Sequence, residues 1–397
     1  MGALTGKRIV LGVTGGIAAY KAVEVCRRLV EAGAHVQPVM TDGALEMVGA
    51  TTFSALASEP VKTSLFDDPE TPIPHTRMGQ AADLVLVCPA TARIISDIRT
   101  GRSADLLMST ILATRAPVVV CPAMHTEMWE QPAVQENLDV IERRGVSIVP
   151  PERGRLAGGD TGDGRLADPA TVVAHVERAL TEHDLAGRHV LVTAGGTREP
   201  IDPVRVISNK STGKQGYAVA AEAWARGARV TLVTTVETPE PVGVHRVDVQ
   251  TAADMQRAVE SIDDADIIVM AAAVADFRPA DPADHKLKKT DGAAPEIPLE
   301  KTHDFLVDLG EKKPDGQVLI GFAAETDDLV GNARAKLERK KLDLIVANDV
   351  SQPGVGFGYD TNEVVIIQAD GSCEHVPLTD KRDVARRVLD TAANKLG

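Results

Sequence analysis

Apolar positions along the chain fall into short runs separated by stretches with helical spacing. The first run, 8–13, is followed by a Gly-containing turn. Ala19, Val23, Cys26 and Val30 then recur every three or four residues and predict an amphipathic helix over 17–31, with Gly33 suited to its C-terminal end. Further strands are predicted at 35–40, 83–88, 117–121 and 147–149, with helical stretches between most of them. Short apolar strands alternating with helices predict a largely parallel, doubly wound sheet. The segment 154–168, dense in Gly and Asp, predicts a mobile flap that is neither sheet nor helix. A helix over 169–181 and a polar connector over 182–188 follow.

At His189 the pattern starts again: a strand over 189–193, a Gly-Gly turn, a long loop, a helix over 213–226 and a strand over 229–234. Later strands are predicted at 266–271, 318–322 and 342–346, with a β-hairpin over 363–377. The stretch 280–300, rich in Lys, Asp and Pro, is long enough to predict a functional loop. The expected architecture is therefore α/β, two doubly wound Rossmann-like domains over 1–185 and 186–397. A length of 397 residues suits two such units.

Composition narrows the chemistry. Aromatics are only 3% of residues, so aliphatic side chains must do most of the packing. A net charge of −14 argues against a broad nucleic-acid or anionic-membrane footprint. Cys26, Cys88, Cys121 and Cys373 show no C-x-x-C pairing, and the first three lie in apolar runs, which suits buried thiols in a reducing compartment. No basic-then-apolar leader is evident, and no apolar run reaches the ~18 residues of a membrane span. A soluble, cytoplasmic protein without membrane or nucleic-acid partners is expected.

Candidate sites follow the strands. Gly12-Val13-Thr14-Gly15-Gly16-Ile17-Ala18 joins a strand to a helix, where glycines let backbone N–H groups approach a phosphate. The spacing is not the G-x-G-x-x-G dinucleotide fingerprint, and a tight turn without ligand would use the same glycines. Two other strands end alike, in Cys88-Pro89-Ala90-Thr91-Ala92 and Cys121-Pro122-Ala123-Met124-His125, at the edge where such sheets bind ligands.

Taken in order with the lone His75 before a helix and the run Ala104-Asp105-Leu106-Leu107, these motifs resemble the flavin-dependent cysteine decarboxylase family. The resemblance implies an FMN site formed by Gly15, Gly16, Ile17, Thr41, Ala90, Thr91, Asp105 and Ser109. It makes His75 the catalytic base, with FMN oxidising the cysteine end to a thioaldehyde that is the sink for the electrons a departing carboxylate leaves behind, before the reduced flavin returns hydride. Two positions depart from the family pattern. His125 stands where an Asn normally holds the substrate carboxylate, and Gly158 stands where the bacterial bifunctional enzymes carry a proton-donating Cys in the flap.

In the second half, Lys286, Lys288 and Lys289 share a loop, while Lys336 and Lys340 are i and i+4 on a predicted helix. Either these clusters neutralise a polyphosphate or they are solvated surface lysines. The run Ala194-Gly195-Gly196-Thr197, Ile201 to Arg205, Ile207 to Lys214, Ala271 to Phe277, Gly321 to Thr326 and Leu344 to Val350 resembles the phosphopantothenate–cysteine ligase domain. This implies CTP contacts at Ala271, Ala272, Asp276, Lys286, Lys301, Thr302, His303, Phe322, Lys336 and Lys340. Asn209 would stabilise an acyl-cytidylate (a helix N-cap being the structural alternative), Arg205 would contact substrate, and Mg²⁺ would bridge the phosphates on ligands that no motif identifies.

The expectation is a bifunctional enzyme of coenzyme A biosynthesis. The second domain would join 4'-phosphopantothenate to L-cysteine at the expense of CTP, and the first would decarboxylate the product to 4'-phosphopantetheine. Alternatives are a front domain acting on another cysteinyl substrate, or a non-catalytic flavin-binding regulatory domain. The resemblance also implies a homo-oligomer: flavin-domain trimers with FMN at the subunit interface, and ligase-domain dimers, closing into a dodecamer.

Overall fold

The computed structural model describes residues 2–66, 72–288 and 296–396. Lys289 lies outside the described residues. The chain forms two compact units, Met1–Glu182 and His183–Gly397.

In the first unit, β1 (Arg8–Val13), β2 (His35–Met40), β3 (Leu84–Ala90), β4 (Val118–Pro122) and β5 (Ser147–Ile148) form one sheet in the order β2-β1-β3-β4-β5. All four pairings are parallel. Alternate residues serve opposite faces, as the two-residue strand period requires. Ile9, Leu11, Leu84 and Leu86 pack on one side with the helices Ala19–Glu31 and Pro169–Leu180, while Val10, Val85 and Val87 pack on the other with Ile94, Leu106 and Leu138. Burial on both faces explains why these strands read as continuous apolar runs.

The segment expected to lack regular structure is instead a two-stranded antiparallel ribbon, β6 (Glu152–Arg155) and β7 (Thr161–Arg165). Its glycines have low strand propensity, but backbone docking compensates. Met124 N–H donates to Gly164 O at 2.9 Å, and Thr126 Oγ1 donates to Asp163 O at 2.8 Å. A Cβ on Gly164 would stand 2.3 Å from Met124 O, so close approach of the two backbones depends on glycine there.

The second unit opens with β8 (His189–Ala194) and the short antiparallel pair β9 (Arg198–Pro200) and β10 (Val206–Ser208). Next come β11 (Arg229–Thr234), β12 (Val244–Asp248), β13 (Ile267–Met270) and a second short pair, β14 (Phe277–Pro279) with β15 (Leu299–Lys301). The last four strands are β16 (Val318–Glu325), β17 (Leu344–Asp349), β18 (Thr361–Gln368) and β19 (Cys373–Asp380). The main sheet runs β12-β11-β8-β13-β16-β17-β18-β19, parallel up to β17 and antiparallel across the closing hairpin.

Both sheets contain a switch point where strand order reverses, between β1 and β3 in one and between β8 and β13 in the other. Chains leaving adjacent strands there turn to opposite faces and leave a crevice beyond the carboxyl ends, which is where ligands bind in such folds.

Candidate functional site

A cavity of about 1140 Å³ opens at the first switch point. Gly15, Gly16 and Ile17 line it after β1, Thr41 after β2, Thr91 after β3, and Asp105 at a helix start. Thr14 fixes the crevice floor: its Oγ1 donates to Pro89 O at 2.7 Å and accepts from Thr91 N–H at 3.3 Å, tying the ends of β1 and β3 together. Gly15 lies so close to Gly43 that a Cβ would come within 2.7 Å of the latter's backbone. Asp105 caps the helix Leu106–Ala113, accepting from Met108 N–H at 2.9 Å, and pairs with Arg93 at 3.3 Å.

Ala90 and Ser109 do not line this cavity. Ala90 is fully buried at the end of β3, and Ser109 Oγ donates to Asp105 O at 2.8 Å. His75 is also elsewhere: it sits half-buried on the helix Pro74–Ala81, with Nδ1 buried and without a hydrogen-bond partner.

Sequence reasoning missed the cations. Lys21, Arg93, Arg102, Arg155 and Arg165 line the cavity against the carboxylates of Asp42 and Asp105. Burial and then the charge of Arg165 push the Lys21 ammonium below its usual range. A positive crevice in a chain of net −14 was a signal available in advance only for residues flanking the motifs, since the ribbon arginines lie outside every motif and reach the crevice only through the fold.

This donor set fits a flavin mononucleotide. The Gly15–Gly16 turn leaves backbone within reach of a phosphate, and the cations match its charge. The buried Thr41 Oγ1, which lines the cavity without a hydrogen-bond partner, offers a polar contact.

At the second switch point a cavity of about 870 Å³ is lined by Asn209, Ala272, Asp276, Thr302, His303, Phe322, Lys336 and Lys340 among others. Ala271 lines a smaller adjoining cavity with Ser211, Gly213 and Lys214. Lys336 Nζ donates to Glu325 at 2.6 Å and Lys340 Nζ to Asp304 at 2.9 Å. Thr302 Oγ1 is buried without a partner. His303 Nε2 lies 2.7 Å from Asp308, which holds that carboxyl below its ordinary range.

Lys286, Lys301 and Arg205 are not among the residues around this cavity. Arg205 pairs with Asp202 at 2.9 Å and donates to Leu287 O at 2.6 Å, while Leu287 N–H donates to Asp202 at 3.1 Å. The segment carrying Lys286 is thus pinned to the 201–205 turn, with Lys286 and Lys288 exposed. Lys301 is exposed on β15. The helix Lys214–Ala225 is capped by Gly213, not by Asn209. Asn209 Nδ2 instead donates to Ala273 O and Val274 O, both at 3.2 Å. The Gly354-Val355-Gly356-Phe357-Gly358 loop, part of which lines the same cavity, went unnoticed; its glycine spacing was the visible signal.

Two Rossmann-like units, each with a cation-bearing crevice at its switch point, define a bifunctional nucleotide- or flavin-binding protein. Residues 2–181 match the family model described as Flavoprotein, and 185–396 match the DNA/pantothenate metabolism flavoprotein C-terminal domain. The coenzyme A biosynthesis bifunctional protein CoaBC of Mycobacterium tuberculosis (strain ATCC 25618 / H37Rv) is 46% identical over 401 residues, covering 97% of this chain and 96% of that protein. Its namesake from Bacillus subtilis (strain 168) is 45% identical over 397 residues, covering 98% and 97%. A crystal structure of the C-terminal domain of a CoaBC protein is 40% identical, covering 54% of this chain and 98% of that one, with a TM-score of 0.46. The chain belongs to the CoaBC family of bifunctional coenzyme A biosynthesis proteins. It is an enzyme with a flavoprotein decarboxylase unit in front and a ligase unit behind.

Proposed function

We propose that the second unit ligates 4'-phosphopantothenate to L-cysteine using CTP and Mg²⁺, and that the first decarboxylates the resulting 4'-phosphopantothenoylcysteine with FMN. The observation that carries this reading is the pair of cation-lined crevices, one per unit, in a chain that matches bifunctional relatives over nearly its whole length. One domain's product is the other's substrate, which makes the fusion chemically coherent.

Bound FMN supplies the two-electron couple that gives the carboxylate's electrons somewhere to go. The Gly15–Gly16 turn and the arginines hold its phosphate, while Thr41 and Thr91 contact its body. The site is read as completed between subunits of a homo-oligomer, because His75 lies away from the cavity of its own chain. From a second copy, its imidazole would move a proton at the substrate near neutral pH. By the same reading the flavin units form trimers and the ligase units dimers, which together close into a dodecamer.

In the second unit Lys336 and Lys340 exchange their carboxylate partners for triphosphate oxygens, and Thr302 Oγ1 accepts or donates to the nucleotide. Asp276, which lines the cavity, would offer a carboxylate to Mg²⁺, and the ion would supply charge neutralisation to the phosphates. Asn209 Nδ2 holds the loop against Ala273 O and Val274 O, which leaves its Oδ1 to accept a hydrogen bond from the amine that attacks the activated acyl group. Lys286, Lys301 and Arg205 reach the site only if the loops bearing them close over it. Thiols throughout suit a cytoplasmic setting. Among the described residues no helix is long and apolar enough to cross a membrane.

Turnover of phosphopantothenate, cysteine and CTP by the purified chain tests the whole reading. His75→Asn is expected to abolish CO₂ release and leave pyrophosphate release intact. Decarboxylation at the wild-type rate in that variant would remove His75 from the chemistry.

A further inference from the structure

His125 is held in a way that binding a substrate carboxylate does not explain. It follows β4, begins the helix Thr126–Trp129 and lines the first cavity. Its Nδ1 lies 2.7 Å from Glu127 Oε2, and its Nε2 lies 3.4 Å from Asp160 Oδ1 at the tip of the β6–β7 ribbon. An ionised carboxylate only accepts hydrogen bonds, so a ring with a carboxylate at each nitrogen is satisfied when both carry a proton. The imidazolium's charge is then already matched twice over. What this side chain offers a third anion is a proton more than an electrostatic seat.

Gly158 makes the arrangement possible. A Cβ there would stand 2.8 Å from His125 Nε2 and 3.0 Å from Asp160 Oδ1, so a side chain at 158 would push the pair apart. The charged groups facing the ring are Glu127, from its own helix, and Asp160, from the ribbon. The hydrogen bond that the ring donates to Glu127, then the charge of Asp160, raise its pKa above the ordinary histidine value.

We propose that His125 is the proton donor of the front unit's decarboxylation, with Asp160 and Glu127 as the groups that keep it charged. The proposal rests on the decarboxylase reading above. With the cysteine end oxidised to a thioaldehyde, loss of CO₂ leaves the bonding pair in the enethiolate; once the two electrons lent to the flavin are returned as hydride, the sum is R–COO⁻ + H⁺ → R–H + CO₂, and one proton has been taken up from the protein. The Nε2–H bond breaks as the new bond to the product forms, leaving neutral imidazole. Nε2 is the nitrogen with the longer, looser partner and is the one that meets substrate. Solvent at the exposed ribbon tip then returns the proton.

The test uses the full-length, flavin-loaded chain with 4'-phosphopantothenoylcysteine. The quantities are kcat and KM against pH for wild type, His125→Asn and the isosteric Asp160→Asn. Alongside, carbethoxylation of residue 125 by diethyl pyrocarbonate is followed by peptide mass against pH, because only neutral imidazole reacts. In wild type the alkaline limb of kcat should coincide with the midpoint of His125 modification. Asp160→Asn should move both to lower pH together. His125→Asn should lower kcat roughly 100-fold and abolish that limb, with KM little changed. A raised KM with unchanged kcat would make His125 a carboxylate holder and overturn the proposal, as would a kcat limb that stays in place while the modification midpoint moves. Wild type that releases no CO₂ would sink the decarboxylase reading itself, whereas active wild type with an equally active His125→Asn sinks this proposal alone.

Discussion

Asn209 shows how one side chain can serve architecture and chemistry at once. Both carbonyls it faces, Ala273 O and Val274 O, only accept, so its amide nitrogen must be the atom turned toward them and its Oδ1 remains available. The residue is exposed, so each bond contributes no more than about 1 kcal/mol net. Asn209→Ala should therefore leave thermal stability nearly unchanged. Asn209→Asp sets a carboxylate against two carbonyls and beside an acyl phosphate, which penalises the step in which the amine attacks. Formation of the cysteine adduct is expected to fall roughly 100-fold, while pyrophosphate release continues and acyl-cytidylate builds up. Quench analysis of the two half-reactions decides it. Equal loss of both half-reactions together with a lower Tm would assign Asn209 to the loop's architecture alone.

At the level of elements, the strand-to-helix turns set what the crevices admit. Gly15 and Gly16 look alike in sequence but differ in their surroundings. A Cβ on Gly15 meets the Gly43 backbone at 2.7 Å, which has nowhere to go, while one on Gly16 meets only the Thr91 methyl at 3.4 Å. Gly15→Ala should cost about 1–3 kcal/mol through overpacking and lose the flavin absorbance of the purified protein. Gly16→Ala should keep its fold and its Tm. Thermal melts and visible spectra of the two variants separate these outcomes; equal behaviour would mean the turn is not held against residue 43. The contrast also shows what sequence could carry. The apolar runs of β1, β3, β8 and β13 announce themselves because both faces are buried, and the motifs at their carboxyl ends follow from that. The β6–β7 ribbon was not legible because its strands are polar and glycine-rich, held by backbone docking to residues 124–126 that no periodicity records. Lys336 and Lys340 reach their crevice because helix spacing put them on one face, whereas Lys286 depends on a loop whose anchorage to Asp202 is a tertiary fact.

At the scale of the molecule, each unit has its own sheet and its own buried clusters, so each is expected to fold alone. Where the second unit begins is then a question of energy, and the polar connector makes it testable. Sequence pattern put the boundary at 185/186, but the residues just before it belong to the second core. Leu185 is fully buried among Val190, Val219 and Leu389, and its N–H donates to Arg226 O at 3.1 Å. Arg226, only 7% exposed, pairs with Asp184 on one side and with Asp390 at 2.8 Å on the other. A fragment over 183–397 keeps all of this. One over 186–397 loses a buried leucine and strips a buried guanidinium of one of its two carboxylates, a loss of the order of 3–5 kcal/mol. The longer fragment should unfold in one cooperative transition and release pyrophosphate from CTP in the presence of phosphopantothenate. The shorter one should unfold at markedly lower denaturant with a similar slope, since the midpoint reports stability and the slope reports the surface exposed. Matching midpoints for the two fragments would show that Asp184 and Leu185 contribute nothing, and would place the working boundary at 185 after all.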